Sequence, residues 1–211
     1  MILAIGNTKG GVGKTMIAVN LAIFRATTGR EVLLVDGDEQ GSAALFSQLR
    51  ADLVGTCGYT AVELHGSALR TQVRQLAEKY DDIIIDVGGR DTGSLRAALT
   101  VANTLLVPVQ PRSFDVWGTN QIVALVAEAR EINPELRALV FLNAADAQGR
   151  DNAEAREVLR EIEAVETLDV VVVRRKAFPN AAAQGRGVSE QQPRDLKAVE
   201  ELSALASAAF S

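Results

Sequence analysis

Six stretches of this chain are continuously apolar, and each ends in polar or glycine residues. A strand buried on both faces of a sheet reads as a continuous apolar run, whereas a half-exposed strand alternates apolar and polar side chains. Helical patterns separate the runs. The chain is therefore predicted to fold as an α/β protein, with a mostly parallel twisted sheet flanked by helices on both faces. The predicted strands are "ILAIG", "EVLLVDGD", "DDIIIDVGG", "TLLVPVQP", "RALVFLN" and "LDVVVV".

The segments between these strands predict seven helices, and Ser42 is a suitable N-cap for the second of them. The stretch "GTCGYTAVEL" is ambiguous between strand and loop. We find no linker, repeat or low-complexity segment, and therefore expect a single domain over residues 1–211. The predicted helices cover residues 14–27, 42–50, 67–79, 93–102, 115–132, 151–163 and 194–209.

Composition excludes several classes of protein. The formal net charge of −5 and the pI of about 5.1 argue against DNA binding through overall charge, so any such contact needs a local basic patch. The single cysteine excludes an internal disulfide and fits a reducing cytoplasm. No apolar run is long enough to span a membrane. We interpret the opening "MILAI" as a buried strand rather than a signal peptide.

A glycine-rich loop, "TKGGVGKT", follows the first predicted strand. It departs from the usual phosphate-loop pattern G-x-x-x-x-G-K-[ST], because Thr8 occupies the first glycine position and Lys9 adds a second lysine. Glycines in such a loop let backbone N–H groups turn towards a phosphate, and the positive end of the following helix faces the same point. Lys14 is suited to hold the β- and γ-phosphates, and the Thr15 hydroxyl to bind Mg²⁺.

The segment "KGGVGKT" resembles the deviant Walker A loop of the ParA/MinD family of P-loop ATPases. The resemblance implies ATP and Mg²⁺ as ligands. It also implies an ATP-dependent homodimer in which Lys9 reaches across to the partner subunit's phosphates, while Lys14 holds its own nucleotide. The loop residues that would contact the nucleotide are Lys9, Gly10, Gly11, Val12, Gly13, Lys14, Thr15 and Met16.

Carboxylates follow two of the strands. "LLVDGDEQGS" resembles the family's switch I, which implies that Asp38 orients or activates the attacking water and that Asp36 supports either Mg²⁺ or the loop. An N-cap or exposed acid pair is the alternative. Asp86 follows three isoleucines, as a Walker B aspartate does, and would hold Mg²⁺ through water. Gly88 and Gly89 resemble switch II, whereas Arg90 could face phosphate, a partner or solvent.

Residues after the later strands supply the base pocket. Asn143 could offer its amide to adenine, and Pro179 would line the same pocket. Asp115 and Trp117 would anchor a helix at the edge of the nucleotide site, although Trp117 could equally be a core residue. His65, the only histidine, has no metal-ligand companions and is interpreted as structural.

A basic stretch lies near the C-terminus of an otherwise acidic chain. A local patch of this kind can bind DNA phosphates despite the net charge, although solvated surface arginines are the alternative. The candidate DNA contacts are Arg174, Arg175, Lys176 and Arg186.

The resemblance is closest to small ParA proteins that lack an N-terminal DNA-binding domain. It implies a cytoplasmic DNA-partitioning ATPase that becomes nucleoid-associated when ATP-bound. It also implies nonspecific double-stranded DNA and a ParB-like centromere-binding adaptor as partners. Positioning of a protein cargo is the alternative, followed by a MinD-like membrane ATPase. The single cysteine excludes a reductase resembling the nitrogenase iron protein, which needs two.

Overall fold

The protein is described from a computed structural model covering residues 1–89, 92–111, 116–148 and 150–211, without the side chains of residues 116–119 and 150. Seven parallel strands form one sheet in the order β3-β2-β4-β1-β5-β6-β7. The predicted α/β class is confirmed. The strands are β1 (Ile2–Ile5), β2 (Val32–Asp36), β3 (Thr60–Glu63), β4 (Asp82–Asp86), β5 (Thr104–Val109), β6 (Arg137–Ala145) and β7 (Glu166–Val173).

Helices connect the strands and cover both faces of the sheet. One apolar layer packs α1, α7 and α8 against the sheet, and the opposite layer packs α3 to α6. Because β1 lies between β4 and β5, the loop after β1 emerges at the centre of the carboxyl edge. The helices are α1 (Lys14–Thr27), α2 (Ser42–Val54), α3 (Gly66–Leu76), α4 (Gly93–Leu99), α5 (Val116–Arg130), α6 (Arg150–Arg160), α7 (Ala177–Ala182) and α8 (Leu196–Ala209).

The ambiguous stretch contains the seventh strand. β3 pairs only with β2, so it is an edge strand, and its four residues are partly or fully exposed. An edge strand on the surface needs no continuous apolar run, which is why the pattern that revealed the six other strands did not reveal this one.

The boundaries of α2 differ from the prediction. Ser42 is the first residue of the helix rather than its cap, because the N-cap is Gly41 in a left-handed conformation with φ of 61°. The helix continues past residue 50 and ends where Gly55 adopts φ of 85° and its N–H bonds to the carbonyl of Ala51. A left-handed glycine after the last turn is a favourable helix stop.

A short helix and a 3₁₀ turn follow β7, where no helix was predicted. α7 tolerates Pro179 because this residue lies in its first turn, where no intrahelical N–H bond is required. The 3₁₀ turn Val188–Glu190 is attached to α1, since the N–H of Val188 donates to Oδ1 of Asn20 at 2.8 Å.

A buried arginine connects α2 to this turn. The guanidinium of Arg50 forms a bidentate ion pair with Glu190 at 2.7 and 2.8 Å, and also donates to the carbonyls of Cys57 and Gly185. Burial by itself would raise the pKa of Glu190. The hydrogen bonds from Arg50 and the Gly187 N–H, with the charges of Arg50 and Arg186, outweigh burial and lower it.

We expect Arg50→Ala to lower the free energy of unfolding by about 3 kcal/mol, because it leaves a partly buried carboxylate and two carbonyls without their donor. Urea denaturation measures this, with the exposed Arg174→Ala as control. Since the folded pKa of Glu190 is lowered, its contribution is complete above its ordinary value of 4.5 and is lost as pH falls through the folded value. The stability difference between wild type and Glu190→Gln should therefore shrink in acid. Equal stability of Arg50→Ala and Arg174→Ala would contradict this account.

Candidate nucleotide site

The loop between β1 and α1 has the geometry of an anion site. Gly11 and Gly13 adopt positive φ values of 73° and 89°, which side-chain-bearing residues rarely adopt. Gly13 is the N-cap of α1 and offers no side-chain cap to the first turn. The first N–H groups of a helix have no intrahelical partner, so this end of α1 is suited to receive phosphate.

Side chains from other parts of the chain form hydrogen bonds with the backbone of this loop. The amide of Gln110 donates to the carbonyl of Gly11 at 2.9 Å, and the amide of Asn143 donates to the carbonyl of Val12 at 2.7 Å. Asn7 is buried below the loop, where its Oδ1 accepts the Lys9 N–H at 3.0 Å. Sequence reasoning missed Gln110, although its place directly after β5 was the available signal.

Lys14 is a buried lysine at the centre of the site, with 7% of its surface exposed. Burial lowers its pKa, and the nearby charges of Asp86 and Asp38 oppose that shift. Its Nζ donates to the Lys9 carbonyl at 3.2 Å. Gly89 packs against it so closely that an added Cβ would lie 3.1 Å from Nζ and 2.7 Å from the Gly10 Cα. The segment after β4 is thus in direct contact with the phosphate loop.

The two aspartates after β2 have different environments. Asp36 is 1% exposed, and its oxygens accept the N–H groups of Asp38 at 3.1 Å and Ala44 at 2.9 Å. Of the two roles left open for Asp36, these bonds favour support of the loop. Asp38 is half-buried beside Gly88, whose added Cβ would lie 3.4 Å from the Asp38 carboxylate. Asp38 is therefore positioned at the loop after β4, as an activating group for water would be.

Asp86 is buried, yet neither of its carboxylate oxygens has a hydrogen-bond partner of good geometry within residues 1–89, 92–111, 116–148 and 150–211. Burial raises its pKa to about 7. The charges of Asp36 and Asp38 add to this, while the Thr15 hydroxyl and Lys14 oppose it. An unpartnered buried carboxylate near a hydroxyl fits a hard divalent cation such as Mg²⁺, which would complete its shell with nucleotide oxygens and water.

A mostly apolar cavity of about 200 Å³ adjoins the loop. The predicted base-pocket residues Asn143 and Pro179 line it, together with Met16, which was predicted to contact the nucleotide from the loop. Phe178 and Ile17, which were not predicted, line it as well. Its composition suits the flat apolar faces of a nucleobase.

A wider cleft of about 760 Å³ opens on the Asp38 side. It is lined by the two loops carrying Asp38 and Gly88 and by the starts of α3 and α4. His65, which was interpreted as structural, is exposed at the N-cap of α3 and lines this cleft.

The basic stretch is less uniform than predicted. Arg174 and Lys176 are exposed, but Arg175 is paired with Glu201 at 2.6 Å and Arg186 is only partly exposed. Glu201 also accepts the Val173 N–H at 3.0 Å, so Arg175 belongs to a local structural network. Arg174 and Arg175 additionally border the apolar cavity.

Three predicted features fall outside what can be described. Arg90 and Asp115 are not among the described residues, and the side chain of Trp117 is not described. Within the described part of the chain, no helix combines the length and apolar character needed to cross a bilayer.

The family is identified by sequence comparison. Residues 3–188 match the family model described as the CobQ/CobB/MinD/ParA nucleotide binding domain. The chain belongs to this family. The resemblance inferred from the loop motifs is thereby confirmed at the level of the family.

Family members similar to this chain differ in what they are named for. One is "maintenance of carboxysome distribution protein A" of Halothiobacillus neapolitanus, 27% identical over 201 residues, covering 95% of this chain and 92% of that protein. Another is the "chromosome-partitioning ATPase Soj" of Thermus thermophilus, 34% identical over 173 residues, covering 66% of this chain and 67% of that protein. The structure of an ATP complex of a Cyanothece McdA variant has a TM-score of 0.81 and 18% identity, covering 99% of this chain and 95% of that one. This last similarity shows the fold.

Proposed function

We propose that this chain is a Mg²⁺-dependent ATPase of the ParA type. Its ATP-bound homodimer binds duplex DNA without sequence preference, and a ParB-like adaptor stimulates hydrolysis. The observation that carries the proposal is the unpartnered, buried carboxylate of Asp86 beside the Thr15 hydroxyl and the buried ammonium of Lys14. Such a set is costly to bury unless a cation and an anionic ligand complete it, and Mg²⁺ with a nucleoside triphosphate supplies both.

The positions of Lys9 and Asp38 support the proposed dimer and the proposed hydrolytic step. Lys9 lies on the phosphate loop, where its backbone N–H donates to Oδ1 of Asn7. Asp38 borders the wide cleft. We propose that the partner subunit approaches this cleft and that its Lys9 reaches the triphosphate. We further propose that Asp38 activates the attacking water, since Mg²⁺ and phosphate contacts can be made without it.

Arg174 and Lys176 are the best-supported DNA contacts, because both are exposed and adjacent in sequence. A monomer with this small patch and a net charge of −5 would bind DNA weakly. Two copies of the patch on one rigid dimer would act as a linked pair, so that affinity rises with dimerisation. The proposed location is the cytoplasm, on the nucleoid when ATP is bound.

Positioning of a protein cargo is the second candidate. It is favoured by the similarity to the carboxysome distribution protein, which is 27% identical over an alignment that covers 95% of this chain. The DNA-bound, ATP-dependent dimer is common to both candidates, and only the cargo differs. A MinD-like membrane helix has less support, because α8 buries Leu202, Leu205 and Ala206 in the core.

We expect the protein to shift unrelated DNA duplexes in a gel with ATP and Mg²⁺, but not with ADP. If Arg174 and Lys176 each contact one phosphate per subunit, the slope of log K against log salt should be about −4. The double variant Arg174→Glu with Lys176→Glu should lose DNA binding while retaining ATP-driven dimerisation. Arg175 is left unchanged because its substitution would leave the carboxylate of Glu201 without its ion-pair partner.

The matched control reverses two exposed charges elsewhere, Arg74→Glu with Lys79→Glu, near the end of α3. This control should bind DNA nearly as well as wild type does. Equal binding with ATP and ADP, or equal losses in both double variants, would refute the proposed DNA interface.

A further inference from the structure

The carbonyls of two successive peptide groups in the phosphate loop are held by side chains from neighbouring strands. Gln110, directly after β5, donates to the Gly11 carbonyl, and Asn143, near the end of β6, donates to the Val12 carbonyl. In a trans peptide group the C=O and the following N–H point in opposite directions. Fixing these two carbonyls therefore aims the N–H groups of Val12 and Gly13 to the other side of the loop.

The Asn143 amide is buried and packs tightly against the loop. The residue is 5% exposed, and a Cβ added at Gly13 would lie 2.5 Å from Nδ2. The amide thus occupies the space beside Gly13 that any side chain there would need. One of the two hydrogens on Nδ2 is committed to the Val12 carbonyl, so the contact that the structure shows for this amide is with the loop, whereas the role predicted for it was a contact with adenine.

The backbone next to Asn143 is strained. Ala144 has φ of 49°, the only positive φ of a non-glycine residue among those described. The pairing of β6 with β7 also shifts register between Asn143 and Ala145. A left-handed alanine is sterically unfavourable and persists only where the surrounding structure requires it. Here the irregularity accompanies the position from which Asn143 reaches the loop.

We propose that Asn143 and Gln110 are positioning residues that hold the phosphate loop in its anion-binding conformation before a nucleotide arrives. Asn143 acts on the polyphosphate through the loop backbone rather than by recognising adenine. The inference rests on the proposed nucleotide site and assigns these two amides a role within it. Preorganised N–H groups do not have to be reoriented on binding, so affinity rises without a direct contact.

Inorganic tripolyphosphate, which has no base, separates the two roles. With Mg²⁺ present, Asn143→Ala should weaken the binding of tripolyphosphate and of ATP by a similar factor of about 10, because both depend on the loop. Gln110→Ala should weaken both by about 3-fold, since Gln110 is more accessible. Isothermal titration calorimetry with each ligand measures these factors, and circular dichroism verifies folding.

Pro179→Ala is the matched control, because Pro179 lines the base cavity and is exposed. It should change the affinity for ATP only and leave tripolyphosphate binding at the wild-type value. Gln110→Ala keeps the test decisive if Asn143→Ala does not fold.

Loss of ATP affinity with unchanged tripolyphosphate affinity in the Asn143 variant would overturn the inference, because Asn143 would then be a base contact. Unchanged tripolyphosphate binding in both amide variants would overturn it as well. In either case the proposed ATPase would stand. If the unmodified protein bound neither ATP nor tripolyphosphate, the proposed function would fail and the inference with it.

Discussion

Lys14→Ala is expected to reduce the affinity for ATP by about 100-fold or more. Removing one partner of a desolvated charge interaction costs roughly 3 kcal/mol, and each 1.4 kcal/mol is a factor of about ten. Lys14 is 7% exposed and faces Asp86 and Asp38, so its loss also leaves the carboxylates to repel the phosphates. Titration with a fluorescent ATP analogue measures this loss.

Lys9→Ala is the informative companion to this variant. It should bind ATP as a monomer with nearly normal affinity but fail to dimerise, because the proposed target of Lys9 lies in the partner subunit. Light scattering with ATP and Mg²⁺ distinguishes the two variants. Normal dimerisation of Lys9→Ala would refute the cross-subunit role, and normal ATP binding by Lys14→Ala would refute the assigned phosphate site.

Asp38→Ala is expected to bind ATP and dimerise, but to hydrolyse ATP about 100-fold or more slowly, the range expected on removing a general acid or base. Thr15 and Asp86, the proposed Mg²⁺ ligands, are unchanged in this variant. The variant should keep the bond from the loop to Asp36, because the donor is the backbone N–H of Asp38, although it loses the 3.2 Å bond that the Asp38 carboxylate accepts from the Gln40 N–H.

Glu39→Ala is the control for this variant, since Glu39 is the exposed neighbour of Asp38 and borders the same cleft. It should hydrolyse ATP at close to the wild-type rate. Phosphate release in single-turnover assays measures both variants. Wild-type turnover by Asp38→Ala would remove Asp38 from the proposed mechanism.

The central part of the fold was predictable from local pattern. Six strands contain continuous apolar runs, and the polar residues after them meet at one edge of a parallel sheet for geometric reasons alone. β3 was not predictable in this way, because its exposed position allows almost any sequence. The start of α2 at residue 42 was predicted correctly, but its N-cap is Gly41 rather than Ser42, and its end at Val54 lies beyond the predicted residue 50.

The candidate site likewise has features that the sequence predicts and features that it does not. Lys14, Thr15 and Asp86 follow from spacing, and the structure brings them together, although their roles remain predictions. The partner of Asn143 was not predictable, because it is a backbone carbonyl 131 residues earlier in the chain. Likewise, the sequence does not distinguish Arg175 from its basic neighbours, because its partner Glu201 lies on a separate helix.

The attachment of α2 at two points restricts how the site can move. Its first turn is bonded to Asp36 through Ala44, and its middle is fixed to Glu190 through Arg50. When the nucleotide state changes, Asp38 can therefore be displaced without tilting the whole helix only if the backbone moves within residues 37–41. Movement of the Asp38 carboxylate and movement of the distant exposed end of α2 are mechanically separate as long as the ion pair between Arg50 and Glu190 remains intact.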